Sequence, residues 1–557
     1  MKLEVAGSEM ESKVMDHHGL VSAMCQDLKL ADRLNDRIGS ADPRRVIQPG
    51  LAVVAMIING LGFTNRRLYL TPQFFQSKAM EHLFDEEVTA DNFDDHTLGK
   101  ALDEIAAYGS TKLFAEVAFE IAHEHGLLGE KAHHDTTSFS LTGRYENSSE
   151  EDGEVIEVTH GYSKDHRPDL KQVMLGLTMT GKANLPIWME PQSGNSSDKK
   201  TFNESIKRIK EFQSQLKDEH DFMWVADSAL YSATHLLNHN NYRWISRVPE
   251  SISEAKMLLE LEEESLKWTA CEKGYQYTSQ PSEYGDIKQR WLLVFSKQAY
   301  DREKKTFDKR LAKQKSELTK LCWHLENQTF NCKKDALSAV KPLKKKFRHF
   351  NLNTSILAAT KYGSKGRPKK GAPKTIAGYK IVVKIEENVE LTERFLRRKG
   401  RFILATNDLD EVRLPEHKIL SNYKEQQCVE DGFKFLKDPW FMVDSFYLKK
   451  PQRIEGLMMV MTLCLLVYNF AQHKLRSALS ENKETIPNQK GKPTATPTMK
   501  WVFLLFEGVS IVTLAEQVVE SIRHIITNLS DLRKKIIRLL GRTACKIYGI
   551  NMEIAGM

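Results

Sequence analysis

Two aspartates stand where a carboxylate can do chemistry. Asp135 lies in Lys131–Thr142 (KAHHDTTSFSLT), behind His133-His134 and ahead of Thr136-Thr137; Asp227 closes the apolar run Phe222–Ala226 (FMWVA). A carboxylate leaving the end of a buried strand points into the crevice where open α/β sheets bind ligands. Two of them on adjacent strands would suit a hard divalent cation, because Mg²⁺ takes oxygen ligands and few of them from protein. A strand-terminal Asp also caps turns, so each aspartate alone leaves both readings open. Histidine suits softer transition metals, and only one of His133 and His134 can share the face of Asp135, which argues against an imidazole-ligated ion there.

A third group is Tyr423, Gln426, Glu430 and Lys437, at offsets of 3, 7 and 14 from the first. At about 100° per residue the later three fall within a narrow sector beside Tyr423. The spacing predicts one helix over roughly Pro415–Leu436, with Leu420, Phe433 and Leu436 as its buried component. The alternative for this stripe is a solvated polar face, with Glu430 and Lys434 as an i,i+4 pair.

The elements that must position these groups follow from apolar periodicity. Residues 17–128 read as helical, with helical spacing in Gln48–Leu61, Phe75–Leu83 and Leu98–Ala122. Strands are predicted at Lys131–Thr142, Gln172–Thr180, Leu185–Glu190, Phe222–Ala226 and Tyr242–Val248, with helices at Thr201–Leu216 and near Ala229–Leu237. Strands interleaved with helices make an α/β layout. From about 250 to 405 the layout is interrupted by a charged, helix-prone stretch, Tyr300–His349. It also holds strand-like segments at Arg290–Val294, Tyr379–Ile385 and Arg401–Thr406. Within it Lys361–Lys374 (KYGSKGRPKKGAPK) reads as an exposed loop. Beyond 406 the pattern reads as helical to the end.

The chain has 557 residues, 41% hydrophobic and 28% charged, a globular balance that excludes a disordered or collagen-like chain and allows several domains. Its net charge of +7 is mild, so clustering matters more; Lys344–Arg348 and Arg533–Lys546 are the candidates for phosphate binding. Seven cysteines without a CxxC pair argue against a disulfide framework or thiolate zinc site and favour a reducing compartment. The opening residues lack a secretory apolar segment. Leu457–Tyr468 (LMMVMTLCLLVY) is too short to cross a bilayer and reads as a buried core helix. A soluble, cytoplasmic protein without membrane contact is expected.

Taken together, these passages resemble the DDE transposases of bacterial insertion sequences, in the ribonuclease H-like branch with a long insertion before the catalytic Glu. That branch carries a Tyr-x2-Arg-x3-Glu-x6-Lys signature, and this chain reads YKEQQCVEDGFKFLK at 423–437, with Gln426 in place of Arg. HHDTTSFSLTG around Asp135, GYSKDHRPDLKQ at 161–172, SGNSSDKKTF at 193–202, WVADSALYS at 224–232 and GRFILATND at 400–408 carry the rest of the likeness.

The resemblance implies a mixed-sheet ribonuclease H-like α/β core with an inserted mixed α/β domain, flanked by helical N- and C-terminal regions. The implied boundaries are 1–128 (helical, DNA-end-binding), 129–249 (first part of the core), 250–405 (insertion), 406–480 (second part, with the catalytic Glu) and 481–557 (helical, basic). It implies catalytic, metal-binding Asp135, Asp227 and Glu430, with Asp135 bridging two Mg²⁺ ions (Mn²⁺ able to substitute) and the other two holding one each. Tyr423, Gln426 and Lys437 would contact DNA at the element's ends. Arg367, in KGRPKK, resembles a minor-groove hook. The implied activity is metal-dependent cleavage and strand transfer at terminal inverted repeats, by a homodimer on paired ends of double-stranded DNA. The alternatives are a catalytically silent DNA-binding descendant and another ribonuclease H-like nuclease.

Overall fold

Apolar runs and turn residues divide the chain much as their periodicity dictates. The computed structural model describes all residues except 1, 6–7, 64–67, 144, 146–154, 165–166, 197, 217–219, 229, 233–235, 237–241, 364–372, 439–440, 442–447, 517–520 and 552–557. Two compact units result, one of residues 1–245 with 421–557 and one of 246–420.

The first unit opens with strands β1 (Lys2–Val5) and β2 (Ser8–Val14). Helices α1 (His18–Asp27), α2 (Leu30–Ile38), α3 (Pro49–Gly60), α4 (Thr71–Phe75), α5 (Met80–Leu83), α6 (Asp95–Tyr108) and α7 (Ser110–Glu124) follow. Helix α3 begins at a proline whose fixed φ suits the first turn, and all of its residues are buried. The stretch Leu98–Ala122 is two helices, not one, because Gly109 breaks it at φ 98°, a backbone angle that L side chains rarely adopt. Phe75–Leu83 is likewise split between α4 and α5.

Next come β3 (Lys131–Leu141), β4 (Lys171–Thr180), β5 (Leu185–Ser193), α8 (Asp198–Gln215), β6 (Met223–Ala226) and β7 (Trp244–Arg247). They make a mixed sheet in the order β5-β4-β3-β6-β7. β5, β4 and β3 are antiparallel neighbours, and β3 runs parallel to β6. The expected helix near Ala229–Leu237 falls largely outside the described residues. Helix α8 covers one face of the sheet, its Phe202 edge-on to His134 of β3 and its Phe212 edge-on to Trp188 of β5.

The second unit holds α9 (Ser253–Glu260), β8 (Thr269–Cys271), β9 (Tyr275–Tyr284), β10 (Ile287–Ser296), α10 (Lys297–Glu326), α11 (Lys333–Lys346), β11 (Phe350–Tyr362), β12 (Lys374–Glu387), α12 (Val389–Arg397) and β13 (Arg401–Thr406). Antiparallel strands stack in the order β13-β10-β9-β8, and β11–β12 is a separate long hairpin. The helix-prone Tyr300–His349 is two helices that fold back on the hairpin, with Leu318, Cys322, Val340, Phe347, Phe350 and Ile381 in the core between them.

Helix α13 (Glu416–Lys424) follows, and then α14 (Gln427–Leu436), α15 (Pro451–Glu481), β14 (Ile486–Pro487), β15 (Pro493–Thr494), α16 (Met499–Leu505), β16 (Ser510–Glu516), β17 (Ser521–Thr527), α17 (Asp531–Leu540) and α18 (Arg542–Ile547). Gly456–Val467 of α15 are buried without a break. This helix is apolar and long enough to span a bilayer, yet 89% of its apolar window is enclosed by protein. A helix hydrophobic all round requires such enclosure. Helices α1, α3, α6 and α7 supply it from the N-terminal side. Arg453 at its start makes a bidentate pair with Asp103 of α6, both bonds 2.7 Å.

The expectation of helix to the chain end does not hold. β16 (SIVTLAE) and β17 (SIRHIIT) pair with each other, and β16 pairs with β2, so both ends of the chain share one antiparallel sheet. Their β-branched residues favour a strand over a helix. The basic tail is also engaged within the fold. Arg533 donates to the carbonyls of Leu505 (2.5 Å), Glu507 (2.9 Å) and Asn528. Lys535 pairs with Glu484 at 2.9 Å and Lys546 with Asp85 at 3.5 Å.

Candidate active site

Strand β3 carries Asp135 at its middle, and its parallel neighbour β6 delivers Asp227. The pairs Lys131–Met223, Ala132–Trp224 and His133–Val225 are in register, each 92 residues apart in the chain. Asp135 and Asp227 have the same separation, so each lies two residues beyond the last of these pairs, on chain segments that leave neighbouring strands about 4.8 Å apart. Asp227 comes directly after β6 ends at Ala226 and is exposed, while Asp135 is half-buried and accepts a 2.7 Å hydrogen bond from the Thr136 amide on Oδ1.

The face Asp135 uses is defined by its cross-strand partner Leu177 on β4. A Cβ on Gly432 of α14 would come 3.5 Å from Leu177, 3.0 Å from Met179 and 3.2 Å from Leu465 of α15. A side chain here would press on the ends of Met179 and Leu465, so glycine eases the close approach of the helix. Helix α14 therefore rests on the Asp135 face, opposite α8, with Val429, Gly432, Phe433 and Leu436 buried beneath it.

Glu430 lies about 100° around α14 from Val429, on a flank of the buried stripe. It is exposed and accepts from Gln427 Nε2 at 3.0 Å. Lys434 pairs with Asp431 at 3.0 Å, so the i,i+4 pair weighed for Glu430 does not form. Lys437 shares this flank, and its ammonium stands 5.6 Å from the centre of the Phe139 ring on β3.

The single helix expected over Pro415–Leu436 is two. At Glu425–Gln426 the bonds shorten to an i→i+3 pattern, Gln426 N to Tyr423 O and Cys428 N to Glu425 O, and α14 starts anew with Gln426 as its N-cap. The break is tied to the start of the strands. Lys131 Nζ reaches Asn422 Oδ1 at 3.0 Å and Glu425 at 2.5 Å, and Asn422 packs on Met223. Tyr423 and Gln426, both half-buried, thus sit at the beginning of β3 and β6, and Lys437 sits beside the later part of β3. Arg367 lies outside the described residues.

His133 shares the Asp135 face; burial, with Lys131 adding to it, pulls its imidazole down to about 4. His134 points the other way, its Nδ1 2.8 Å from Thr178 Oγ1. Cys428, beside Glu430, has its thiol pushed up to about 12 by burial. The groups here whose chemistry suits a hard cation are the carboxylates. Sequence reasoning missed Lys131 and Lys164. Lys131 shares the face of Asp135 four residues earlier, and Lys164 donates to the carbonyl (2.7 Å) and hydroxyl (3.2 Å) of Thr136. The signal for Lys131 was its place in the alternation of β3; nothing local marked Lys164.

Residues 134–467, more than half of the chain, match the transposase DDE domain, and residues 10–119 match a domain of unknown function, DUF4277. A solved structure titled as a piggyBac transposase synaptic complex with hairpin DNA is similar over 86% of this chain and 78% of that one, at 10% identity and a TM-score of 0.36. No curated protein matches. The matched span begins one residue before Asp135 and takes in Asp227 and Glu430, and on it the chain belongs to the DDE transposase family.

Proposed function

We propose that this transposase binds the terminal inverted repeats of its element, cleaves both ends and joins them to target DNA, with Asp135, Asp227 and Glu430 as the catalytic carboxylates. The observation that carries this reading is that Asp135 and Asp227 each follow the paired stretch of the parallel strands β3 and β6 by two residues, with the Glu430 helix seated on the Asp135 face. The donor set fits Mg²⁺ or Mn²⁺: the three groups are carboxylates, the oxygen donors that hard divalent cations prefer. Two such ions, when bound, stabilise charge on the attacking and leaving oxygens of an in-line displacement.

The chain's own residues would do the rest. Asp135, Asp227 and Glu430 would hold the ions and leave positions open toward solvent. Tyr423 and Lys437, at opposite ends of β3, would contact phosphates of the element's end and align the scissile bond between them. Gln426 offers a neutral amide where the signature has a guanidinium, so it can hydrogen-bond a phosphate without charge pairing. A homodimer would hold two ends together, in the bacterial cytoplasm.

The test is cleavage of a labelled duplex carrying the flanking inverted repeats, with Mg²⁺, in wild type and Asp227→Ala. Nicking at the repeat boundary that needs the metal and vanishes in the variant is the expected result. Cleavage that ignores the repeats, or persists in the variant, overturns the reading. Repeat binding without cleavage in either protein marks a silent descendant.

A further inference from the structure

Away from the carboxylates, α5 and β17 bring Glu81, His82 and His524 together, with one ligand atom of each within 4.8 Å of the others. The rings of His82 and His524 stand edge-on with centres 5.6 Å apart. Each ring has its Nδ1 engaged by an oxygen. His82 Nδ1 is 3.3 Å from the carbonyl of Ile547, the last residue of α18, and His524 Nδ1 is 3.1 Å from Thr513 Oγ1 on β16. A carbonyl can only accept, so Nδ1 of His82 carries a proton and Nε2 is the ring atom turned to other partners. An imidazole held this way by an outer oxygen is the usual arrangement of a metal ligand.

The surroundings supply the rest of a site. Glu11, Thr513 and His524 are cross-strand partners in one row of the β2–β16–β17 sheet, facing α5. Lys13 links this row to Glu81, with its ammonium 3.4 Å from Oε2 and 4.0 Å from Glu11. That contact is long and to one oxygen, which leaves Oε1 of Glu81 available. Two imidazoles and one carboxylate are the donor set of three-ligand Zn²⁺ sites, in which water takes the fourth position. A tetrahedral ion needs its ligand atoms about 3.3 Å apart, a contraction that these solvent-reachable side chains can make by small rotations.

We propose that Glu81, His82 and His524 form a Zn²⁺ site that ties the β16–β17 hairpin, near the end of the chain, to helix α5 near its beginning. The ion is separate from those at Asp135, Asp227 and Glu430: it is softer, binds through nitrogen, and acts by holding two distant segments together.

The test is a titration of the full-length chain, stripped with chelator and kept in excess Mg²⁺, with Co²⁺ and then Zn²⁺. The expected result is about one equivalent of tetrahedral Co²⁺, read from its visible d–d bands without a thiolate charge-transfer band and displaced by Zn²⁺. It should be lost in His82→Gln and in His524→Gln, weakened about tenfold in Thr513→Ala, and retained in Asp135→Asn with Asp227→Asn. Bands that survive both His variants, or vanish only with the aspartates, overturn the proposal. Hydrogen exchange supplies a second reading that does not depend on colour: Zn²⁺ should slow the β16 and β17 amides in wild type and not in His524→Gln. Unchanged exchange in wild type would remove the tying role.

Discussion

Helix α15 has 31 residues and helix α10 has 30, yet they are built to opposite plans. In the first unit α15 buries Ile454 and then every residue from Gly456 to Val467, with helices and sheet on all sides. In the second unit α10 buries only Phe307, Leu318 and Cys322. Its exposed face carries i,i+4 pairs such as Lys297–Asp301 and Lys304–Asp308. The hairpin it packs on leaves Leu357, Ile376 and Val382 largely exposed. Surface pairs of that kind stabilise by about 0.5 kcal/mol at most, whereas a buried aliphatic side chain contributes about 1.5–3 kcal/mol. The first unit therefore supplies the rigidity. The Glu430 helix rests on that part directly, through Gly432 against Leu465 of α15.

The sharpest way to break the comparison is Glu430→Gln, which separates chemistry from scaffold. Cleavage should fall at least about 10³-fold, with repeat binding and the unfolding midpoint unchanged, because Glu430 is exposed on the flank of α14. A drop in stability of the same order as a core truncation would show that the site and the scaffold are not separable. Leu463→Ala, in the middle of α15, should cost about 2–5 kcal/mol in urea unfolding. The conservative Ile381→Val in the small core of the second unit should cost about 0.5–1.5 kcal/mol. Equal costs would erase the distinction.

Acid provides the next test. Burial lowers the imidazoles of His17 and His133 to about 4, and that of His18 well below its ordinary value. Unfolded, these groups take up protons near pH 6.5, so the stability they contribute is whole above that pH and is lost as pH falls toward 4. The two that reach about 4 are each worth up to about 3 kcal/mol on this basis. In the second unit His349 is the one imidazole lowered by burial among the described residues. Limited proteolysis between pH 7 and 4 should cut the first unit earlier than its neutral-pH stability would suggest; cuts confined to 246–420 would contradict this.

Smaller effects sharpen the roles of charge and surface. Arg533→Ala removes a donor shared by three carbonyls and should cost about 1–3 kcal/mol, with the salt dependence of DNA binding unaltered. A shallower salt slope would return this residue to the phosphate-binding set. Val382→Ser, on the exposed side of β12, should stay within about 0.5 kcal/mol of wild type.

Much of this was legible in the residues. The strands β3, β4 and β6, the buried helix at Leu457–Tyr468, and Asp135 and Asp227 as paired carboxylates were readable, since period-two alternation, an unbroken apolar run and a strand-ending acid are local signals. The hairpin β16–β17 carried a local signal too, but its β-branched runs stand beside strongly helical segments and gain their partner, β2, from about 500 residues away. The helix break at Gln426 had no sequence mark at all. The spacing of Tyr423, Glu430 and Lys437 suits a continuous helix, and the turn is drawn tight where Lys131 binds Asn422 and Glu425.

Residue types and their periods thus determined which segments become strands or helices and which side chains are able to bind an ion, because those depend on neighbours along the chain. Register, the face on which α14 lies, and the internal use of Arg533 were decided by the tertiary structure. Each depends on contacts between segments tens to hundreds of residues apart, formed where burial of apolar surface and pairing of carbonyls or charges outweigh the local preference.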